Sequence, residues 1–198
     1  MLDICVILCG GKSSRMGENK IFMPFGDSIL IIYQYKQLSN IFKNVFISSK
    51  NIYLDSIIEA FKKANISIDN KIILEEDSIY SPLFGVKNAF DKLNMENIFF
   101  ISCDSPFIKS RIIHSICENA NGYDITCIRD RKSIHPLIGL WNKRIQTQLQ
   151  EAIENNKFKI INLLKQVKSK ILYFDYEFLN INTKEDYKKA LLLLEENK

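Results

Sequence analysis

Short apolar runs recur along the chain at domain-building intervals: "ICVIL" ending at Leu8, "NVFISS" at Ser49, "KIIL" at Leu74, "NIFFIS" at Ser102, "DITCI" at Ile128, "HPLIGLW" at Trp141 and "KILYFD" at Asp175. Each has the length of a strand, and most are apolar throughout instead of alternating. That is the pattern of strands covered on both faces. Amphipathic segments separate them. In "SPLFGVKNAFDKL", Leu83, Val86, Ala89, Phe90 and Leu93 fall on one helical face. In "NTKEDYKKALLLLEEN", Thr183 stands three residues before Asp186, a capping-box-like start, and Tyr187, Ala190, Leu191 and Leu194 form the apolar stripe. Strand-helix-strand alternation implies right-handed crossovers between parallel strands, hence a three-layer α/β/α domain with a mostly parallel central sheet. The 198 residues carry no internal repeat and no linker, so residues 1–198 are expected to form a single domain.

Composition removes several function classes. The net charge is only +4, and no basic cluster with interleaved aromatics stands out, so no nucleic-acid partner is expected. No apolar run approaches the ~20 residues of a membrane span. The opening "MLDICVILCGG" has an acid where a secretory signal would have a basic region. Five cysteines without a CxxC pair argue for a reducing compartment and against a disulfide framework or a zinc cage. His114 and His135 lie far apart and offer no metal-ligand spacing. The expectation is a cytoplasmic protein, a monomer by default.

In such sheets ligands bind beyond the carboxyl ends of the strands. "CGGKSSRMGENK" follows the first apolar run and looks like a phosphate loop. It is not a P-loop: Gly11-Lys12-Ser13 matches the end of that motif, but position 6, where its first glycine belongs, is Val6. The spacing of Gly10, Gly11 and Gly17 also breaks the dinucleotide pattern GxGxxG. Adjacent glycines can still turn backbone N–H groups toward an anion, and Arg15 and Lys20 can meet charged oxygens. A plain glycine turn with solvated basic residues reads equally well. Asp104 directly follows the run "NIFFISC"; it suits a Mg²⁺ ion held against a polyphosphate, or a cap on the next helix.

"LCGGKSSRMGENK" resembles the LAGGxSxRMGxxK signature of the molybdenum cofactor guanylyltransferases, which have a Rossmann-like nucleotidyltransferase fold. "CDSP" at Cys103–Pro106, "EEDSIYSPLFGV", "HPLIGLW" and "FLNINTKED" resemble further segments of that family in the same order, spanning nearly the whole chain. Cys9 replaces the usual alanine, Ser81 the first glycine of GPLAG, Phe84 its alanine and Lys184 a proline.

The resemblance implies roles residue by residue. Leu8, Cys9, Gly10 and Gly11 would offer backbone to the nucleotide. Arg15 would face the β- and γ-phosphates, and Lys20 the phosphates at the reaction centre. Asp104 would coordinate Mg²⁺, Asp77 would contact the nucleotide, and Ser48 and Gly85 would line its site. Guanine presents N1–H and N2–H₂ donors that one carboxylate can accept together, a physical reason to want an acid there. His135, Asn180, Asn182, Lys157 and Lys159 are candidates on the pterin side; a loop histidine and turn-forming asparagines are the bland readings.

The implied reaction is transfer of GMP from GTP to the terminal phosphate of molybdopterin, with pyrophosphate leaving. Molybdenum-cofactor synthesis proteins and molybdoenzyme chaperones would be transient partners. A cytidylyltransferase acting on the same pterin, another nucleotidyltransferase and a non-catalytic cofactor carrier are the rival readings.

Overall fold

The structure is a computed structural model that describes residues 1–10, 19–75 and 80–196. In chain order the strands are β1 (Leu2–Leu8), β2 (Pro24–Phe25), β3 (Ser28–Ile29), β4 (Phe42–Lys50), β5 (Ile72–Glu75), β6 (Asn97–Ser102), β7 (Ile125–Arg129), β8 (Ile134–Asn142) and β9 (Ser169–Tyr173). The helices are α1 (Leu30–Ser39), α2 (Leu54–Lys63), α3 (Pro82–Leu93), α4 (Ser110–Glu118), α5 (Gln146–Glu154), α6 (Ile160–Leu164) and α7 (Lys184–Glu196). Each of the apolar runs forms a strand of one seven-stranded sheet, ordered β5-β4-β1-β6-β8-β7-β9. β2 and β3 make a separate antiparallel ribbon.

The expected burial on both faces is visible in the alternation of β1. Cys5, Ile7 and Cys9 enter one core cluster, with Ile31, Phe61 and Ile113. Ile4, Val6 and Leu8 enter the other, with Val86, Phe90 and Leu149. β6 divides in the same way, Phe99 and Ile101 to one side, Ile98 and Phe100 to the other. Burying one such side chain stabilises by about 1.5–3 kcal/mol, which is why these strands tolerate so few polar residues.

β1 pairs in parallel with β4 and β6, β4 with β5, and β7 with β9. β8 alone runs against both of its neighbours, β6 and β7. The chain moves outward from β1 to β4 and β5, then returns to β6 on the other flank of β1. A topological switch therefore lies at β1, and the crevice opens beyond its carboxyl end.

The helices behave as the sequence implies. Leu83, Val86, Ala89 and Phe90 of α3 are fully buried. Its start is capped by Ser81, whose hydroxyl accepts from the Leu83 N–H at 3.3 Å, with Pro82 in the first turn. Before α7 the capping box is closed both ways. Asp186 Oδ2 accepts from the N–H and the hydroxyl of Thr183, each at 2.9 Å, and Thr183 Oγ1 accepts from the Asp186 N–H at 3.1 Å. All five cysteines are free thiols.

Candidate active site

Asp104 sits in a turn just past β6, closed by the Ser105 N–H donating to the Ser102 carbonyl at 3.2 Å. It does not cap the following helix, because α4 begins only at Ser110. The turn is held from two further sides. Gln34, a glutamine 1% exposed on the inner face of α1, donates through Nε2 to the carbonyls of Ser102 (3.0 Å) and Ser105 (3.4 Å). The Ile181 N–H donates to the Asp104 carbonyl at 2.9 Å, tying the segment before α7 to the same turn.

Lys20 reaches this turn from the far end of the glycine-rich stretch. A single 3-10 turn over Lys20–Phe22 starts there, capped by Asn19, whose Oδ1 accepts from the Ile21 N–H. The Lys20 Nζ lies 3.1 Å from Asp104 Oδ2 and donates to the Ile181 carbonyl at 3.4 Å. Both side chains are largely buried, at 13% and 15% exposure. Burial pulls the Lys20 ammonium down, but Cys103 and Asp104 more than offset this and hold it above its ordinary value. The pair thus presents a fixed cation and a carboxylate at one edge of a 250 Å³ cleft. Leu8, Gly10, Tyr80, Leu137 and Asn182 are among the other residues that line it.

A second carboxylate lies beside the first strand. Glu75, the last residue of β5, is 4% exposed, and its Oε1 accepts from the Ser48 hydroxyl at 2.7 Å. Burial raises its pKa, while the Ser48 bond and the Lys50 charge offset part of that rise. Two glycines make room for it. A Cβ on Gly10 would stand 2.1 Å from Glu75 Oε2, and one on Gly85 would stand 2.7 Å from Oε1 and 2.9 Å from Ser48 Oγ. Lys50, fully buried at the end of β4, places its ammonium 4.6 Å from the centre of the Tyr80 ring.

Residues 5–169 match the family described as MobA-like NTP transferase domain. The chain belongs to that family. The protein is therefore a nucleotidyltransferase. A relative from Helicobacter pylori strain G27, named molybdenum cofactor guanylyltransferase, is 35% identical over 201 residues, covering 97% of this chain and 93% of its own. Among solved structures, molybdopterin-guanine dinucleotide biosynthesis protein A from Archaeoglobus fulgidus superposes with a TM-score of 0.77 at 18% identity, covering 97% of this chain and 98% of its own. CMP:2-keto-3-deoxy-manno-octonic acid synthetase complexed with CTP gives 0.82 at 10% identity, covering all of both chains. At such identities the superpositions show a shared fold, and that fold accommodates more than one reaction.

In this MobA-like chain the cleft brings together Leu8, Gly10, Lys20, Asp104 and Asn182. Ser48 and Gly85 meet at Glu75. Cys9 directs its thiol into the core, where burial pushes its pKa well up, and its N–H is committed to the Ser48 carbonyl at 2.8 Å. Gly11, Arg15 and Asp77 lie outside the described residues. Lys157 and Lys159 are exposed and are not among the residues lining the cleft. His135 is 8% exposed, with its Nε2 2.9 Å from Asp130 Oδ2 and its Nδ1 3.4 Å from Asn180 Nδ2.

The residue lining the cleft from β8 is Leu137, and a register break puts it there. β7 pairs Cys127 with Gly139 but Ile128 with His135, so Pro136–Ile138 bulge out of the ladder. Pro136 has no N–H to give a ladder bond, and its carbonyl accepts from the Trp141 indole at 3.0 Å.

Sequence reasoning passed over Glu75, Gln34 and Asp130. Two of them leave a signal. Glu75 ends an apolar run, as Asp104 nearly does. Gln34 interrupts the apolar stripe of Ile31, Tyr35 and Leu38 on α1 with a polar group that must find partners inside.

Proposed function

We propose that the protein transfers GMP from GTP to the terminal phosphate of molybdopterin, releasing pyrophosphate and forming the guanine dinucleotide cofactor. The observation that carries this reading is the Lys20–Asp104 pair at the crevice beside β1, in a chain 35% identical to a relative of that name.

The attacking group is a phosphate oxygen that is already anionic. Its attack forms a new bond to the α-phosphorus of GTP, and the bond to the β-phosphate oxygen breaks. No strong general base is required, and the work is to neutralise charge and hold the groups in line. Lys20, kept protonated, supplies a fixed positive charge against the phosphates. Gly10 leaves the backbone open to close approach. Glu75 lies buried under the two glycines and fixes Ser48 beneath the cleft, while Asp77 is the acid that would take the N1–H and N2–H₂ donors of guanine; cytosine has no such donor pair.

A divalent cation fits the donor set. Asp104 offers hard carboxylate oxygens, and among the described residues no group of three or more His, Cys, Asp or Glu could enclose an ion. One carboxylate with triphosphate oxygens and water is how Mg²⁺ is held in nucleotide sites. When bound there, the cation draws charge off the phosphates and orients them.

The test is pyrophosphate release by the purified protein with Mg²⁺ and molybdopterin, run in parallel with GTP and CTP. Release with GTP that requires the pterin is the expected result. Release with CTP alone overturns the base, and release with neither overturns the reaction.

A further inference from the structure

Asp130 is buried, and its carboxylate is saturated by donors. Oδ1 accepts from the N–H groups of Lys132 (2.8 Å) and Ser133 (2.7 Å), and Oδ2 from that of Phe178 (3.1 Å). Burial works against its charge, but these bonds and His135 hold it well below the usual carboxylate range. An ionised carboxylate only accepts, so His135 Nε2, 2.9 Å from Oδ2, carries the ring hydrogen. On the other side of the ring the Asn180 amide nitrogen faces Nδ1 at 3.4 Å, which makes Nδ1 the acceptor of that pair. The amide oxygen consequently faces Ser105, whose hydroxyl lies 2.8 Å from Asn180 Oδ1 and 3.1 Å from Asp104 Oδ1.

Ser105 has one hydroxyl proton and two acceptors within reach. The shorter contact to Asn180 draws it away from the carboxylate. We propose that His135, acting through Asn180 and Ser105, is a positioning residue that keeps Asp104 Oδ1 bare for a divalent cation, while Lys20 occupies Oδ2. If the amide were reversed, its nitrogen would donate to Ser105, and the serine hydroxyl would donate its hydrogen bond to Asp104 Oδ1, taking up a lone pair that the cation would use. His135 is thus assigned to the metal side of the site and not to pterin contact. The inference rests on the reading of Asp104 as the cation's carboxylate.

The experiment measures Mn²⁺ binding to the protein with GTP, from the loss of the free-ion EPR signal, alongside the KM for molybdopterin. His135→Gln keeps a donor for Asp130 but has no acceptor at the Nδ1 position. It should weaken Mn²⁺ binding about tenfold, the low end of the effect of disturbing the outer partners that orient a metal ligand. Adding Ser105→Ala removes the proton that would reach Asp104, so the double variant should bind Mn²⁺ as wild type does. A role in packing or in pterin contact predicts no such rescue. A raised molybdopterin KM with unchanged Mn²⁺ affinity overturns the proposal, as does a double variant no better than the single one. Should His135→Gln fail to fold, Asn180→Ala poses the same question one link later, with the same rescue expected. Asp104→Asn is the separate arm: if it binds Mn²⁺ undiminished, the reading of Asp104 fails and the relay with it.

Discussion

Glu75 occupies the space that a side chain at Gly10 would fill, its Oε2 2.1 Å from the position of the missing Cβ. The glycine is needed here for close approach, since the conflict is with another residue's carboxylate and not with its own backbone angles. Gly10→Ala should displace Glu75 and cost about 1–3 kcal/mol, the scale of overpacking in a filled interior. Thermal unfolding and GTP binding should fall together. A stable variant with normal GTP affinity would mean that Glu75 swings clear without consequence.

The same carboxylate gives a pH signature. Burial raises its folded pKa above the ordinary 4.5, so its stabilising contribution is complete below 4.5 and is lost as pH rises through the folded value. Glu75→Gln removes that loss. The variant should melt above wild type at neutral pH, with the gap closing as pH falls toward 4.5. Unfolding scans across this range check it; a gap independent of pH would show that Glu75 does not titrate there.

Lys20→Ala removes the fixed positive charge beside Asp104. Transfer should slow by roughly 10²–10³, the scale for loss of one preorganised charge-stabilising donor. Single-turnover pyrophosphate release measures it. Lys20→Arg should restore little, because a planar fork cannot take the place of a compact ammonium held between Asp104 Oδ2 and the Ile181 carbonyl.

Gln34→Leu leaves the Ser102 and Ser105 carbonyls without their helix donor. The expected cost is about 1–3 kcal/mol of stability, with a weaker hold on the Asp104 turn. Melting temperature reads the first effect and Mn²⁺ affinity the second. An unchanged melting temperature would assign these carbonyls to other donors.

Sequence alone carried the sheet because β1 and β6 are buried on both faces and therefore read as unbroken apolar runs. The reversal of β8 left no such mark, since a strand buried on both faces looks the same in either direction. Lys20 and Asp104 were legible as charges placed after strands. Glu75 was passed over because three acids, Glu75, Glu76 and Asp77, stand in a row and only the end of β5 singles it out; Asp77 itself lies outside the described residues. His135 read equally well as a pterin-side contact or as a plain loop histidine, because its orientation depends on Asp130, five residues earlier across a loop. Spacing alone cannot show which nitrogen carries the hydrogen.

The Ile181 anchor has a consequence for how the protein is made. Lys20 donates to a carbonyl 161 residues further along, and Ser105 to an asparagine 75 residues after it. A ribosome that has finished the glycine stretch and the Asp104 turn has not yet built the segment that holds them. Most of the sheet can assemble on the emerging chain, yet the nucleotide site is completed only near the end of synthesis. A half-made polypeptide therefore carries Lys20 and the Asp104 turn without the Asn180 and Ile181 contacts that hold them in the finished protein.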